Sequence, residues 1–133
     1  MSVEIPKNVI EFMAKPETVK SLITVCGCDK PHAIVCGSII VVDSKTMAVG
    51  EVLMKKTTSN MKDNKNVALL GVNGLESYLV KATVGTRITS GPLFDGMNAE
   101  LAKVKLKAGA VWTFDVQEVF DESAGPNAGK KLA

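Results

Sequence analysis

The chain has 133 residues, 16 of them basic and 14 acidic, for a net charge of +2. That length suits one domain, and the near-balanced charge lacks the basic stripe of a nucleic-acid binder. Hydrophobic residues make up 46%, too many for a disordered chain, yet no apolar run approaches the roughly 20 residues of a membrane helix.

In chain order, Pro6 to Lys15 reads as a helix, with Pro6 in its first turn and Val9, Ile10, Phe12 and Met13 on one face. Pro16 ends it, and Val19 to Cys26 reads as a strand. The turn GCDKP leads into one long β segment, His32 to Asp43, whose Gly37-Ser38 predicts a bulge or kink. After DSKT comes a strand over Met47 to Val52, then a short helix over 57–64. Val67 to Val72 and the long Ser77 to Thr89 are strands, the latter with Tyr78, Val80, Ala82 and Val84 on one face. Pro92 opens a helix to about Lys105, with Leu93, Phe94, Met97, Leu101 and Val104 at helical spacing. Val111 to Phe120 is read as the last strand, with Trp112, Phe114, Val116, Glu118 and Phe120 on one face, and a turn-rich tail follows. Six or seven strands joined by short polar links favour antiparallel pairing and a sheet curled into a small barrel, which removes exposed edges.

The N-terminus MSVEIPKNVIEF carries charges where a signal peptide is apolar, so the expectation is a soluble, cytoplasmic chain with no membrane and no nucleic-acid partner. Six aromatic side chains are too scattered for a base-stacking platform. The apolar content is generous for so small a domain, and burial of a surface patch in a dimer would account for it. Cys26, Cys28 and Cys36 are an odd number without a secretory signal, and Cys26-Gly27-Cys28 has one spacer rather than the two of a redox or zinc pair, which predicts free thiols rather than a disulfide framework. With His32 as the single histidine, no metal site is expected.

Chemistry concentrates at VLMKKTTSNM, Val52 to Met61. Backbone N–H groups at a helix start attract anions, and Lys55, Lys56, Thr57 and Ser59 add charge and hydroxyl donors there. In a strand, Lys55 and Lys56 would point to opposite faces, so that only one of them reaches a given anion. An ordinary capped helix with solvated lysines is the alternative. GPNAGKK, Gly125 to Lys131, lacks the spacing and the hydroxyl of a phosphate loop.

The order of elements, Lys30-Pro31-His32, the Gly-Ser kink and VGEVLMKKTTSNM together resemble the pyridoxamine 5′-phosphate oxidase-like proteins, in particular the small FMN-binding ones. The resemblance spans nearly the whole chain. It implies a mainly β fold with flanking helices, an antiparallel six-stranded split β-barrel forming one FMN-binding domain over 1–133. It implies FMN as cofactor, with Lys56 and Thr57 on its phosphate and Lys55 or Ser59 assisting. Val35, Cys36, Gly37 and Ser38 would run beside the isoalloxazine, and Val49, Gly50 and Glu51 would border it. It implies a homodimer with the flavin between subunits, shielded by Trp112 and by the tail around Ala124, Gly125 and Pro126. The activity implied is hydride or electron transfer by bound FMN. The arginine-rich C-terminal element of true pyridoxamine 5′-phosphate oxidases has no counterpart, Arg87 being the only arginine, so that particular oxidation is not expected. A non-catalytic FMN or phosphate-ligand module and a cofactor-free structural dimer are the alternatives.

Overall fold

Two strands that are neighbours in sequence lie at opposite edges of one sheet, and this shapes the molecule. The structure, a computed structural model, describes residues 2–133. The strands are β1 (Val19–Val25), β2 (Pro31–Val35), β3 (Ile40–Asp43), β4 (Thr46–Gly50), β5 (Asn66–Asn73), β6 (Glu76–Ile88), β7 (Val111–Asp121) and β8 (Lys130–Lys131). The helices are α1 (Lys7–Ala14), α2 (Lys55–Asp63) and α3 (Pro92–Ala102). All strand pairs are antiparallel. The order is β2-β1-β5-β6-β7-β4-β3, with β8 beside the far end of β7.

Edges β2 and β3 do not pair. Residues 36–39 carry the chain from one edge to the other, so the sheet curls without closing, a split barrel of eight strands rather than six. Two features account for the count. The segment His32 to Asp43 breaks at Cys36–Ile39 instead of running as one kinked strand. The tail is not structureless beyond Phe120, because Lys130–Lys131 pair with Phe120 and Asp121.

Phe114, Met47, Leu22, Leu69, Val80 and Val116 fill the interior, all 0–1% exposed. Val9, Phe12 and Met13 of α1 join this core, as their spacing predicts. The predicted face of β6 is inward for Tyr78, Val80 and Ala82. That of β7 holds only as far as Val116. Lys81 faces Glu118 while Ala82 faces Val116, so Gln117 is an extra residue. This bulge flips the alternation, turning Val119 inward and Phe120 outward. Lys81 Nζ then lies 5.0 Å from the centre of the Phe120 ring.

β4 is buried on both faces. Met47 and Val49 point into the barrel, while Ala48 packs beneath α3 with Met97, Leu101, Ala108 and Val111. Gly50 continues that outer face. A Cβ there would lie 3.2 Å from Met97 and 3.3 Å from both Ala108 and Leu101. The glycine therefore serves the approach of α3. Gly50→Val is expected to lower stability by about 1–3 kcal/mol, the usual cost of overpacking, in a denaturant titration. An unchanged midpoint would mean that α3 moves aside freely.

Candidate functional site

The strand predicted over Met47 to Val52 ends at Gly50, and the helix begins two residues earlier than its composition suggested. Leu53 adopts a left-handed backbone, φ 50°, which the extended chain cannot continue through. Lys55 and Lys56 therefore stand in the first turn of α2, both exposed, and the opposite-face argument for a strand does not apply. No side chain caps this helix start. Its first N–H groups are left to solvent or to an anion, with two ammonium groups on the same turn.

Thr57 does not stand where the role on the phosphate implied by the resemblance would put it. It is 1% exposed, and its hydroxyl has no partner. The helix turns this side down onto the sheet beside Asn60, which donates to Thr24 Oγ1 of β1 at 3.0 Å. Ser59 is exposed and Thr58 half-buried.

Val35, Cys36, Gly37, Ser38 and Gly50 line a single cavity of about 660 Å³, whose opposite wall is α3 and the segment after it. The wall is mainly apolar, with Ile40, Leu93, Met97, Leu101 and Leu106 among its residues. Ser38 fixes the crossing of the 36–39 segment over β4: its hydroxyl accepts the Gly50 N–H at 3.1 Å. Gly37 has open space where a Cβ would stand. Burial pushes the Cys36 thiol above its ordinary pKa, so it lines the wall as a neutral group.

Glu51, next after Gly50, joins four parts of the fold. Its Oε1 accepts Trp112 Nε1–H at 2.8 Å, Arg87 Nε–H at 3.2 Å and the Thr58 hydroxyl at 3.4 Å, and its Oε2 accepts Arg87 Nη2–H at 3.1 Å. The end of β4, the start of β7, the end of β6 and the first turns of α2 are thus tied to one carboxylate. The Arg87 fork is bidentate and its guanidinium lies 6.0 Å from the centre of the Trp112 ring. The hydrogen bond from Arg87, foremost, with those from Trp112 and Thr58, holds the Glu51 carboxyl below the usual glutamate range against an opposing desolvation.

A carboxylate with a depressed pKa stabilises the fold above its unfolded-state pKa, and the contribution is lost as pH falls through the folded value. Glu51→Gln should therefore melt lower than wild type at neutral pH. The gap should close as pH drops below about 4, the region of an ordinary glutamate. A gap independent of pH would show that the charge on Glu51 contributes nothing.

The remaining expected residues lie elsewhere. Val49 is wholly buried in the barrel core, and Trp112 is 3% exposed with its indole N–H engaged by Glu51. Ala124, Gly125 and Pro126 are exposed in a turn at the other end of β7, where the Ala124 N–H donates to the Leu75 carbonyl. Trp112 to Asp121 is ten residues of strand, nine steps or about 30 Å, and none of Ala124, Gly125 and Pro126 lines the cavity of its own chain.

Residue type and spacing do not mark Arg87 and Thr58 as site residues. Arg87 being the sole arginine was the available signal. The α3 wall had one too, in the apolar face of the helix that Pro92 opens; that helix ends at Ala102 rather than near Lys105, and Val104 lies past it, exposed instead of packed on the sheet. Cys26 and Cys28 form a disulfide, contrary to the expected free thiols, because the β1–β2 turn folds one back on the other. Cys36 is free. Among the described residues, no group of three or more His, Cys, Asp or Glu is placed to hold a metal, and no helix is long and apolar enough to cross a membrane.

An open-edged antiparallel sheet curled around one core, its two edges joined by a crossing segment and flanked by three helices, is the split barrel of the pyridoxamine 5′-phosphate oxidase-like, FMN-binding proteins. HupZ from Group A Streptococcus superposes with a TM-score of 0.77 at 22% identity, covering 94% of this chain and 99% of that one. An FMN-binding protein from Syntrophomonas wolfei gives 0.76 at 14% identity, covering 90% and 85%. HutZ, the heme storage protein from Vibrio cholerae, gives 0.66 at 13% identity, covering 91% and 97%. No protein-family model and no curated protein sequence matches the chain.

Proposed function

We propose that this protein is an FMN-binding flavoprotein that acts as a homodimer in hydride or electron transfer. The observation that carries the reading is the uncapped start of α2, with Lys55 and Lys56 exposed on it, only five residues along the chain from Gly50 in the cavity wall. An anion held by the first N–H groups and the two ammonium groups has the apolar cavity within reach. That pairing suits a ligand with one terminal phosphate and a flat, largely apolar ring. Lys55 and Lys56 would hold the phosphate, with Ser59 assisting. Val35 to Ser38 and Gly50 would border the ring. Thr57, closed off beneath the helix, shapes the junction rather than touching the ligand.

FMN when bound supplies the redox chemistry, and the chain positions it and excludes water. Glu51, Arg87 and Trp112 hold β4, β6, β7 and α2 in register around the site. The single basic turn favours a monophosphate over an adenine dinucleotide. FMN is favoured over heme because His32, the only histidine, lines neither this cavity nor another of about 300 Å³ on the β1–β5–β6–β7 face, and Cys36, which does line it, is kept from the thiolate form by burial.

A dimer is supported by the apolar side chains left exposed here. Val35 is 72% exposed, Val104 65% and Leu53 97%. A second copy could also bring Ala124, Gly125 and Pro126 to a site that their own chain cannot offer them. Cofactor released from the purified protein by denaturation should chromatograph as FMN, and light scattering should give a mass near twice 14.1 kDa. FAD, or no flavin retained and none taken up, would overturn the cofactor; a monomer that binds FMN tightly would overturn the interface. Reduction of the bound flavin by a nicotinamide cofactor would separate an enzyme from a passive binding module.

A further inference from the structure

The turn between β1 and β2 holds a disulfide closed over a single residue, Cys26-Gly27-Cys28. Stabilisation by a disulfide grows with the length of the loop it closes, so this one constrains the unfolded chain little. Nor does it tie two elements together, since both cysteines belong to the same turn. That turn is held by its backbone as well: Cys26 N–H donates to the Lys30 carbonyl at 3.2 Å, and Asp29 N–H to the Cys26 carbonyl at 3.1 Å. A structural staple is a poor description of such a bond.

The two sulfurs are unlike. Cys28 is exposed, whereas Cys26 is 5% exposed. Cys26 Sγ accepts two backbone N–H groups, that of Cys28 at 3.1 Å and that of Lys30 at 3.3 Å. Amide dipoles aimed at one sulfur favour its thiolate, and a thiol that ionises more readily is the better leaving group in exchange.

We propose that Cys26–Cys28 is a thiol–disulfide exchange couple, in which Cys28 Sγ is the sulfur attacked and Cys26 Sγ the one that leaves. The co-reactant is a dithiol. Its thiolate bonds to Cys28 Sγ, the Cys26–Cys28 bond breaks, and the electron pair stays on Cys26 Sγ beneath its two N–H donors. The second thiol of the reductant, deprotonated, then attacks its own sulfur in the mixed disulfide and expels Cys28 as a thiolate. The dithiol is oxidised to a disulfide, and its two protons end on Cys26 and Cys28. The reverse sequence re-forms the bond at the expense of a disulfide oxidant. The couple stands whether or not the chain binds a flavin.

The test uses the full chain carrying Cys36→Ser, so that only these two sulfurs report. Equilibrated without denaturant against graded ratios of reduced to oxidised dithiothreitol, the protein is alkylated and weighed, with far-ultraviolet circular dichroism recorded alongside. Two alkylatable thiols should appear together and vanish together, reversibly, while the spectrum stays constant. Thiols that appear only in denaturant, or a reduced pair that does not re-close under oxidised dithiothreitol, would overturn the couple. The direction is tested by adding reduced glutathione, a monothiol, to the oxidised protein and quenching with acid: fragmentation of the trapped mixed disulfide should place the glutathione on Cys28 and leave Cys26 as the free thiol. Glutathione on Cys26, or on both sulfurs equally, would overturn the assignment of attacked and leaving sulfur.

Discussion

Replacing Lys55 and Lys56 together by alanine is expected to weaken FMN binding by about 100-fold or more. Hydrogen bonds to a charged group contribute about 1.5–3 kcal/mol each, so each lysine in contact with the phosphate accounts for about tenfold or more. Both side chains stand exposed on the first turn of α2, and their loss should leave the melting temperature nearly unchanged. Affinity should also fall with salt in the wild type and much less in the double variant, because the charges screened are those removed. Thr57→Val is the informative companion. It deletes a buried hydroxyl that has no partner, so stability should hold or rise and affinity should stay close to wild type. Fluorescence titration reads all three proteins. Undiminished affinity in the double variant would remove the phosphate from α2, and a large loss in Thr57→Val would mean that the helix reorients on binding.

Phe114→Ala should lower the unfolding free energy by about 3–5 kcal/mol, the range for deleting a large buried aromatic side chain. Phe114 is 0% exposed and stands on β7 between Met47 of β4 and Val84 of β6. It therefore fills the barrel where the half of the sheet that carries the crossing segment meets the half that carries the long strands. Its loss leaves a cavity that neighbours on three strands cannot collapse into together. Chemical denaturation should show a lower midpoint with an unchanged slope, since the same surface is exposed on unfolding. A loss below about 1 kcal/mol would place Phe114 outside the principal core.

Where hydrophobic period and local signals agree, the sequence is a sufficient guide to this fold. The apolar face of α1, the alternation on β6 and the approach of α3 to the sheet are each legible in spacing alone. Alternation stops being reliable at Gln117, because a bulge is a property of two paired strands and neither shows it by itself. The break at Cys36–Ile39 is legible as a kink, but not as the point where the chain leaves one sheet edge for the other.

The candidate site divides in the same way. Lys55 and Lys56 are visible as a cluster, yet their placement on one helical turn depends on Leu53 turning left-handed, a conformation that leucine does not advertise. Thr57 reads as an exposed donor by residue type, and the phase of α2 turns it inward. Glu51, Arg87, Thr58 and Trp112 lie up to 61 positions apart, and only the pairing of β4 with β7 and of β7 with β6 brings them to one carboxylate. The Cys26–Cys28 bond was hidden for a different reason. Counting cysteines addresses frameworks that link distant elements, whereas this bond lies inside one turn.

One flavin mononucleotide per chain, with its ring in the apolar cavity and its phosphate on the basic turn of α2, is the occupancy proposed for this site. It is tested most directly by equilibrium titration of the cofactor-free protein with FMN and, in parallel, with hemin, following flavin fluorescence and the heme absorption band. Saturable FMN binding at one per chain is expected, with the flavin spectrum perturbed by an apolar environment and the affinity lost in Lys55→Ala/Lys56→Ala. Stoichiometric hemin binding with no uptake of FMN, or FMN binding indifferent to the two lysines, would contradict it.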